Sequence, residues 1–156
     1  MSFYVNNGTI PDKRHTVFNY NGKLAYEQHV SREGFSGIYS NLYHLNMPTN
    51  VTKVGDFHKI SLNKLSDKHR VCHFKTSKIK DAGDAVDSRQ VLFFNQDIII
   101  SVSNIIENMN YFYRSGHYDE LFYIQYGSGV LETNYGDLEY KKGDYIVIPK
   151  GVIWKL

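Results

Sequence analysis

The chain has 156 residues, 42% of them apolar and 22% charged, a balance typical of a folded globular domain. Its 18 Lys and Arg residues and 16 Asp and Glu residues leave a formal net charge of +2, which excludes the strongly basic surface of a nucleic-acid or anionic-membrane binder. No apolar run approaches the roughly 18 residues that a membrane-spanning helix needs. The sequence therefore predicts a globular protein that has neither nucleic acid nor membrane as a partner.

A single cysteine, Cys72, excludes an intramolecular disulfide and a metal site built from several cysteines. This cysteine usage fits a reducing compartment. The first residues, Met1 to Asn7, lack the basic and apolar segments of a secretory signal. We therefore expect a cytoplasmic protein.

In chain order, the sequence predicts two regions. Residues 1–36 are rich in Asn, Gly and charge, and we expect an N-terminal arm of loops and short strands. Residues 37–156 carry short apolar and aromatic runs with turn residues every ~8–12 positions, the spacing of an antiparallel sandwich or barrel. The predicted strands are Gly37 to Asn46, Phe57 to Leu62, His69 to Thr76, Gln90 to Asn95, Asp97 to Ser103, Glu120 to Tyr126, Ser128 to Thr133, Leu138 to Tyr140 and Tyr145 to Ile148.

Turns and loops separate these strands. Asn134 to Asp137 and Lys141 to Asp144 predict tight turns, with Gly136 able to adopt a positive φ. Ser77 to Arg89 is charged and aperiodic, and we interpret it as an exposed loop. Helical periodicity is scarce, and Asn104 to Asn110 is its best short candidate. The predicted fold class is therefore all-β. We expect its core to include Leu121, Tyr123, Val130, Ile146 and Ile148.

The last residues, Tyr145 to Leu156, enter a new strand after Pro149 and stop on apolar side chains. A strand that ends in mid-run leaves backbone groups and a buried face unpaired. We therefore expect the chain to be the front part of a longer natural protein, with the β domain truncated at its C-terminal end. We also expect the isolated chain to self-associate.

Two short segments near the end of the chain form the pattern with the sharpest chemical meaning. The first contains His117, Asp119 and Glu120 followed by Gly127, and the second runs from Gly143 to Gly151. Their spacing resembles the two motifs of cupin proteins, in which a His-x-His pair, a Glu and a third His hold one metal ion. Side chains at positions i and i+2 of a strand lie about 6.6 Å apart on one face, so such ligands can converge. The region 37–156 is accordingly predicted to be a cupin-like β domain.

The metal ligands of that pattern are incomplete in this chain. There is no His-x-His pair, His117 lies too close to Glu120, and Trp154 stands where the third His would fall. His117 together with Asp119 or Glu120 supplies at most two ligands. We therefore predict a cupin-like fold that retains the turns of both motifs but binds no metal. We assign no catalytic, cofactor-binding or metal-binding residue. An iron or zinc site is the alternative.

Two further groups of polar residues have a simpler interpretation. His69 and His73 share a strand face but lie about 13 Å apart, too far for one ion, so with Cys72 they are interpreted as part of a half-buried strand. Asp12 to His15 is a small charged cluster, and we interpret it as a solvated loop. An anion-binding or partner-binding role is its alternative.

Ordered blocks along the chain resemble homogentisate 1,2-dioxygenase. The strongest is Tyr113 to Phe122, which contains the first motif. The blocks are spread over most of the chain, so the resemblance is far more specific than the cupin motifs alone. The other blocks are Phe3 to Val5, Gly8 to Thr16, Glu33 to Ser40, Leu42 to His44, Pro48 to Thr49, Gly127 to Thr133, Gly136, Leu138 to Tyr140 and Gly143 to Gly151.

The resemblance implies a two-cupin enzyme of tyrosine and phenylalanine breakdown that opens the homogentisate ring with O₂ at a non-haem Fe(II) to give maleylacetoacetate. In that family two His and one Glu hold the iron and a further His is the acid–base group, all in the C-terminal half. This chain resembles only the first part of the N-terminal domain, whose own cupin site carries no metal. The resemblance therefore implies Fe(II) bound outside this segment, and a scaffold role here with subunit contacts in trimers paired into hexamers.

Two other functions stay open. One is a free-standing, non-catalytic cupin that binds a small molecule or forms an oligomer. The other is a single-cupin metalloenzyme that uses His117, Asp119 or Glu120. The coding sequence downstream of Leu156 distinguishes both from the dioxygenase fragment. An open frame that encodes a second half with His and Glu residues would identify the dioxygenase.

Overall fold

The computed structural model describes residues 17–56, 62, 64 and 71–156. Residues 17–56 belong to one compact unit, and the later residues belong to another. In these ranges every strand pair is antiparallel, and one short 3₁₀ helix, Thr76–Lys78, is the only helix. The all-β prediction is therefore confirmed. No helix in the described part of the chain has the length and apolar character needed to cross a membrane.

Two hairpins build the described part of the first unit. Strands β1 (Asn19–Tyr20) and β2 (Lys23–Leu24) are joined at Asn21 and Gly22, whose φ values of 49° and 75° are those of the tight turn that Asn-Gly favours. Strands β3 (Tyr26–Glu33) and β4 (Ser36–His44) form the longer hairpin, which has an irregularity near its turn. Residue 36 thus lies inside a hairpin that begins in the predicted arm.

Seven strands lie in the described part of the second unit. They are β5 (Gln90–Phe94), β6 (Ile99–Val102), β7 (Glu120–Tyr123), β8 (Ser128–Thr133), β9 (Gly136–Lys141), β10 (Tyr145–Ile148) and β11 (Trp154–Lys155). They pair as β5–β6, as β7–β10 and as the three-stranded sheet β11–β8–β9. The predicted bounds of β8 and β10 are confirmed, and both predicted turns are present, with Gly136 at φ 115° and Gly143 at φ 95°.

Two predicted elements are wrong. The strand expected at His69 to Thr76 is not formed, because residues 71–75 carry no strand pairing and Thr76 begins the 3₁₀ helix. The weak helical candidate Asn104 to Asn110 is not a helix. Of the predicted strand Phe57 to Leu62, only Leu62 lies within the described residues.

The exposed loop predicted for 77–89 is confirmed for residues 77, 78 and 80–82, which are exposed, but not for the second half of the segment. Asp84, Ala85 and Ser88 are 7%, 1% and 3% exposed, so the turn they form is part of the core. Asp84 makes this possible, because its carboxylate Oδ1 accepts hydrogen bonds from the backbone N–H groups of Val86 (2.8 Å) and Asp87 (3.0 Å). A charged residue is buried here because the turn itself satisfies it.

The core combines that turn with β8, β10 and β11. Its buried members are Ala85, Met109, Leu131, Ile148 and Trp154, and Trp154 is 0% exposed. Of the predicted core residues, Ile148 is buried and Ile146 packs against the core.

The other predicted core residues were assigned to the wrong strand face. Leu121, Tyr123 and Val130 are 65%, 53% and 45% exposed, because their neighbours Glu120, Phe122 and Leu131 point inward instead.

Candidate functional site

Two backbone N–H groups of the second motif segment donate hydrogen bonds to the first segment. The N–H of Gly151 donates to the carbonyl of Ser115 (2.7 Å), and the N–H of Lys150 donates to Oδ1 of Asp119 (2.8 Å). Ser115 is itself buried, and its hydroxyl accepts the N–H of Tyr118 at 3.1 Å. The first motif is therefore hydrogen-bonded to the Pro-x-Gly turn of the second, and the Asp119 side chain makes one of these bonds.

Glu120 begins β7 and faces the interior of the unit. It lies opposite Ile148 in the β7–β10 ladder, and strand alternation places it on the same face as Phe122. Its carboxylate is 11% exposed, so the charge requires compensation within the protein. Both of its oxygens are engaged.

Arg89 supplies the compensating charge. Its Nη1 donates to Oε1 of Glu120 at 2.6 Å, and its Nε donates to the carbonyl of Ala85 at 3.0 Å. The second bond anchors the side chain to the buried turn that precedes β5. The guanidinium is therefore held at a fixed angle, as a planar fork with a charge-assisted bond to Glu120.

Trp154 occupies the other carboxylate oxygen. Its indole Nε1 donates to Oε2 of Glu120 at 3.0 Å. Its backbone is paired with Thr133 of β8 and, through two hydrogen bonds of 2.8 and 2.9 Å, with Tyr113. Strand pairing on both edges therefore holds the residue that stands where the third cupin His would fall.

Three aromatic rings surround the guanidinium. The Arg89 Cζ atom lies 5.5 Å from the ring centroids of Tyr113 and Phe122 and 5.8 Å from that of Trp154. The rings of Tyr113 and Phe122 each meet that of Trp154 nearly edge-on, with centroids 5.4 Å apart. We call Arg89, Glu120 and these three rings the arginine cage. In it, cation–π contacts and one carboxylate surround the planar cation of Arg89.

Two buried side-chain polar atoms of the described residues have no hydrogen-bond partner in the protein, and they belong to adjacent residues. They are Nη2 of Arg89 and the hydroxyl Oγ of Ser88. The guanidinium therefore makes only part of its possible hydrogen bonds, to Glu120 and to the carbonyl of Ala85, and an unpaired buried donor is costly.

A second buried charge lies beside the cage. Burial alone would raise the pKa of Asp84, but hydrogen bonds from the N–H groups of Asp87 and Val86, the Tyr111 hydroxyl and the charge of Arg89 lower it below its ordinary value of 3.8. Burial and the hydrogen bond to Asp84 raise the pKa of Tyr111 to about 12. At neutral pH, Asp84 is therefore ionised and Tyr111 is protonated, and their hydrogen bond stabilises the turn that precedes Arg89.

The cupin motif implies a metal, and the residues present do not fit one. Glu120, the motif carboxylate, has its two oxygens occupied by Arg89 and Trp154, and an indole N–H does not ligate. His117 is exposed in the bend before β7 and contacts the Tyr118 ring. In the described part of the chain, no three His, Cys, Asp or Glu residues are grouped to hold an ion.

The other residues singled out in the sequence are not members of the arginine cage. Cys72 and His73 are exposed, while His69 and the Asp12 to His15 cluster lie outside the described residues. Sequence analysis missed Arg89 and assigned its segment to solvent. No local pattern of the sequence marks Arg89 as buried, because its partner Glu120 is turned inward by tertiary contacts.

Comparison with known proteins finds a curated relative. The chain is 39% identical, over its whole length, to a protein of Saccharolobus solfataricus named "Putative dioxygenase". It spans 41% of that relative's length. No family model matches the chain, and no solved structure matches it. The chain is therefore related along its full length to part of a protein that carries a dioxygenase name.

Proposed function

We propose that this chain is the β scaffold of a ring-opening dioxygenase of the homogentisate 1,2-dioxygenase type. The observation that carries the proposal is the 39% identity, over the whole chain, to a relative with a dioxygenase name. The ordered blocks around Tyr113 to Phe122 and Gly143 to Gly151 narrow the proposal to homogentisate as substrate, with O₂ as co-substrate. The all-β fold agrees with it.

Within such an enzyme, this segment supports the site and does not contain it. The arginine cage uses the motif Glu120 as a counter-ion, so the Fe(II) of the enzyme would be held by residues outside this segment. We extend the proposal to a cytoplasmic homo-oligomer in which this unit makes subunit contacts. The face that suits such contacts is the apolar side of β7 and β10, where Leu121 and Val147 are 65% and 67% exposed.

A segment exchange tests the scaffold role. In the Saccharolobus protein, the stretch that aligns with this chain is replaced by this chain, and O₂ uptake and maleylacetoacetate formation are measured with homogentisate and Fe(II). We expect the relative and the exchange protein both to be active, and the exchange protein carrying Trp154→Ala to lose activity together with stability. An inactive exchange protein that is folded and loaded with iron would contradict the scaffold role.

The substrate is tested on the relative itself. Activity with homogentisate but not with catechol or gentisate supports the proposed substrate class. Activity with only another dihydroxybenzene would support a dioxygenase but refute homogentisate as its substrate. The chain on its own should neither retain stoichiometric Fe(II) nor consume O₂, and iron that is retained and then lost in His117→Ala would establish the single-cupin metalloenzyme instead.

A further inference from the structure

The described residues contain a cation site that the chain fills with its own side chain. Glu120 is the carboxylate that the cupin motif would offer to a metal, yet its Oε1 is bonded to Nη1 of Arg89 at 2.6 Å. The oxygen lone pairs that face the guanidinium cannot serve a metal ion at the same time. A delocalised organic cation therefore stands beside the motif carboxylate.

The surroundings suit a guanidinium better than a metal ion. A metal requires several N, O or S ligands within about 2–2.5 Å, whereas the cage offers one carboxylate and three ring faces. The ring centroids lie 5.5 to 5.8 Å from Cζ of Arg89, within the range of cation–π attraction. Nη2 of Arg89 is buried without a hydrogen-bond acceptor, so the guanidinium relies in part on its contacts with the rings.

We propose that the arginine cage is a guanidinium-binding site whose resident ligand is the Arg89 side chain. Removal of that side chain should leave a site that accepts a free alkylguanidinium and rejects divalent metals. This inference is independent of the proposed function, since it concerns only the contacts of Arg89, Glu120 and the three rings.

The chain carries its own reporter for this test. Trp154 is the single tryptophan of the sequence, and it touches the cage through both its ring and its Nε1. Arg89→Ala removes the guanidinium, and ethylguanidinium restores the atoms that the substitution deletes. We expect Arg89→Ala to change the Trp154 emission and lower the melting temperature, and ethylguanidinium to reverse both with a Kd on the order of 10 mM.

Matched probes and variants complete the experiment. Ethylammonium has the same charge without the planar fork, and Fe(II), Mn(II) and Zn(II) test the metal alternative. Lys155→Ala is the control variant, because Lys155 also has a carboxylate partner, Glu132 at 2.9 Å, and a ring, Phe112 at 5.3 Å, but this pair is solvated. Neither Lys155→Ala nor the unmodified protein should respond to ethylguanidinium.

Two outcomes would overturn the proposal. One is a response of Arg89→Ala to a divalent metal with none to ethylguanidinium. The other is equal rescue by ethylammonium. If Arg89→Ala does not fold, Arg89→Lys and Arg89→Met decide between charge and packing. Disrupted Trp154 emission in both variants supports a guanidinium site, because neither charge alone nor packing alone then fills it, and native Trp154 emission in either variant refutes it.

Discussion

The indole Nε1 of Trp154 donates a 3.0 Å hydrogen bond to Oε2 of Glu120, a residue 34 positions earlier in the chain. This contact joins the first motif segment to β11, and the N–H groups of Gly151 and Lys150 join it to the second segment. Because Arg89 takes the other oxygen, Glu120 is a structural counter-ion. The motif carboxylate thus stabilises the fold at the position where a metalloenzyme would use it for chemistry.

Trp154→Phe should separate that hydrogen bond from the packing of the ring. Phenylalanine keeps most of the buried surface but leaves Oε2 of Glu120 without its donor, and we expect a loss of about 1–3 kcal/mol in the free energy of unfolding. Trp154→Ala should lose about 3–5 kcal/mol, because it also creates a cavity. Urea unfolding followed by circular dichroism measures both. Phe112→Leu, at a side chain that is 55% exposed, is the control, and a Trp154→Phe variant as stable as the parent would contradict the assigned role of the bond.

Glu120→Gln should cost more than Glu132→Gln, although both carboxylates have a basic partner. The Arg89–Glu120 side chains are 25% and 11% exposed, whereas the Lys155–Glu132 side chains are 26% and 42% exposed. Removing the charge of Glu120 leaves the Arg89 guanidinium without a counter-ion, and we expect a loss of about 2 kcal/mol in the free energy of unfolding. For the solvated Lys155–Glu132 pair we expect a loss of ~0–1 kcal/mol.

The measurement for this pair is urea unfolding at low and high salt. Only the Glu132 effect should shrink as salt is added, because salt screens exposed charges. Equal losses for the two variants would show that the cage does not desolvate Glu120.

Several strands and the two tight turns of the second unit could be predicted from local sequence. Ser128–Thr133 and Tyr145–Ile148 alternate or run apolar between clear turn residues, so propensity and packing agree there. The strand faces could not be predicted with the same rule. In β7 the apolar Leu121 and Tyr123 lie outward, because the polar Glu120 has partners inside that no local pattern reveals.

The cage itself depends on distant residues. Arg89 comes from a charged segment that composition assigns to solvent, and its burial depends on Asp84 satisfying the backbone of the turn. Tyr113 joins the cage through a β-bridge to Trp154, a pairing across 41 positions that spacing rules do not reach. Local periodicity predicts individual strands. The arginine cage instead depends on contacts between the buried charges of Arg89 and Glu120, which are far apart in the sequence.

Asp84→Asn should reduce stability above pH 4 and flatten its acid dependence. The folded-state pKa of Asp84 lies below the ordinary 3.8, so the unfolded chain binds the proton first as the pH falls. Its contribution is therefore present above that ordinary value and is lost as the pH drops through the folded pKa. Urea midpoints across acid pH measure this. Asp87→Asn, exposed on the same turn, is the control, and an unchanged acid limb in Asp84→Asn would contradict the prediction.

Tyr111→Phe should act at the opposite end of the pH range. The folded pKa of Tyr111 is about 12 against an ordinary 10.0, so the folded protein keeps a proton that the unfolded chain releases. Stability from this group is complete below the ordinary pKa and is lost as the pH rises toward the folded one. We expect the parent to lose stability more steeply than the variant on alkaline titration. Tyr118→Phe, at a ring that is 53% exposed, is the control.

The outward face of β7 and β10 should drive self-association of the isolated chain. Leu121 and Val147 are cross-strand partners that are 65% and 67% exposed, and the centroids of the Tyr123 and Tyr145 rings beside them lie 4.9 Å apart. An apolar patch of this kind normally lies in an interface.

The double variant Leu121→Lys/Val147→Glu tests this face, because its opposite charges preserve the β7–β10 ladder and remove the apolar surface. Sedimentation velocity should show oligomers of the parent and a dissociation constant at least about tenfold higher in the variant, which corresponds to roughly 1.4 kcal/mol. Val54→Lys, at a side chain that is 84% exposed in the other unit, should leave association unchanged. A parent that stays monomeric at high concentration would show that exposure alone does not make this face adhesive, and the subunit-contact role proposed for it would then fall.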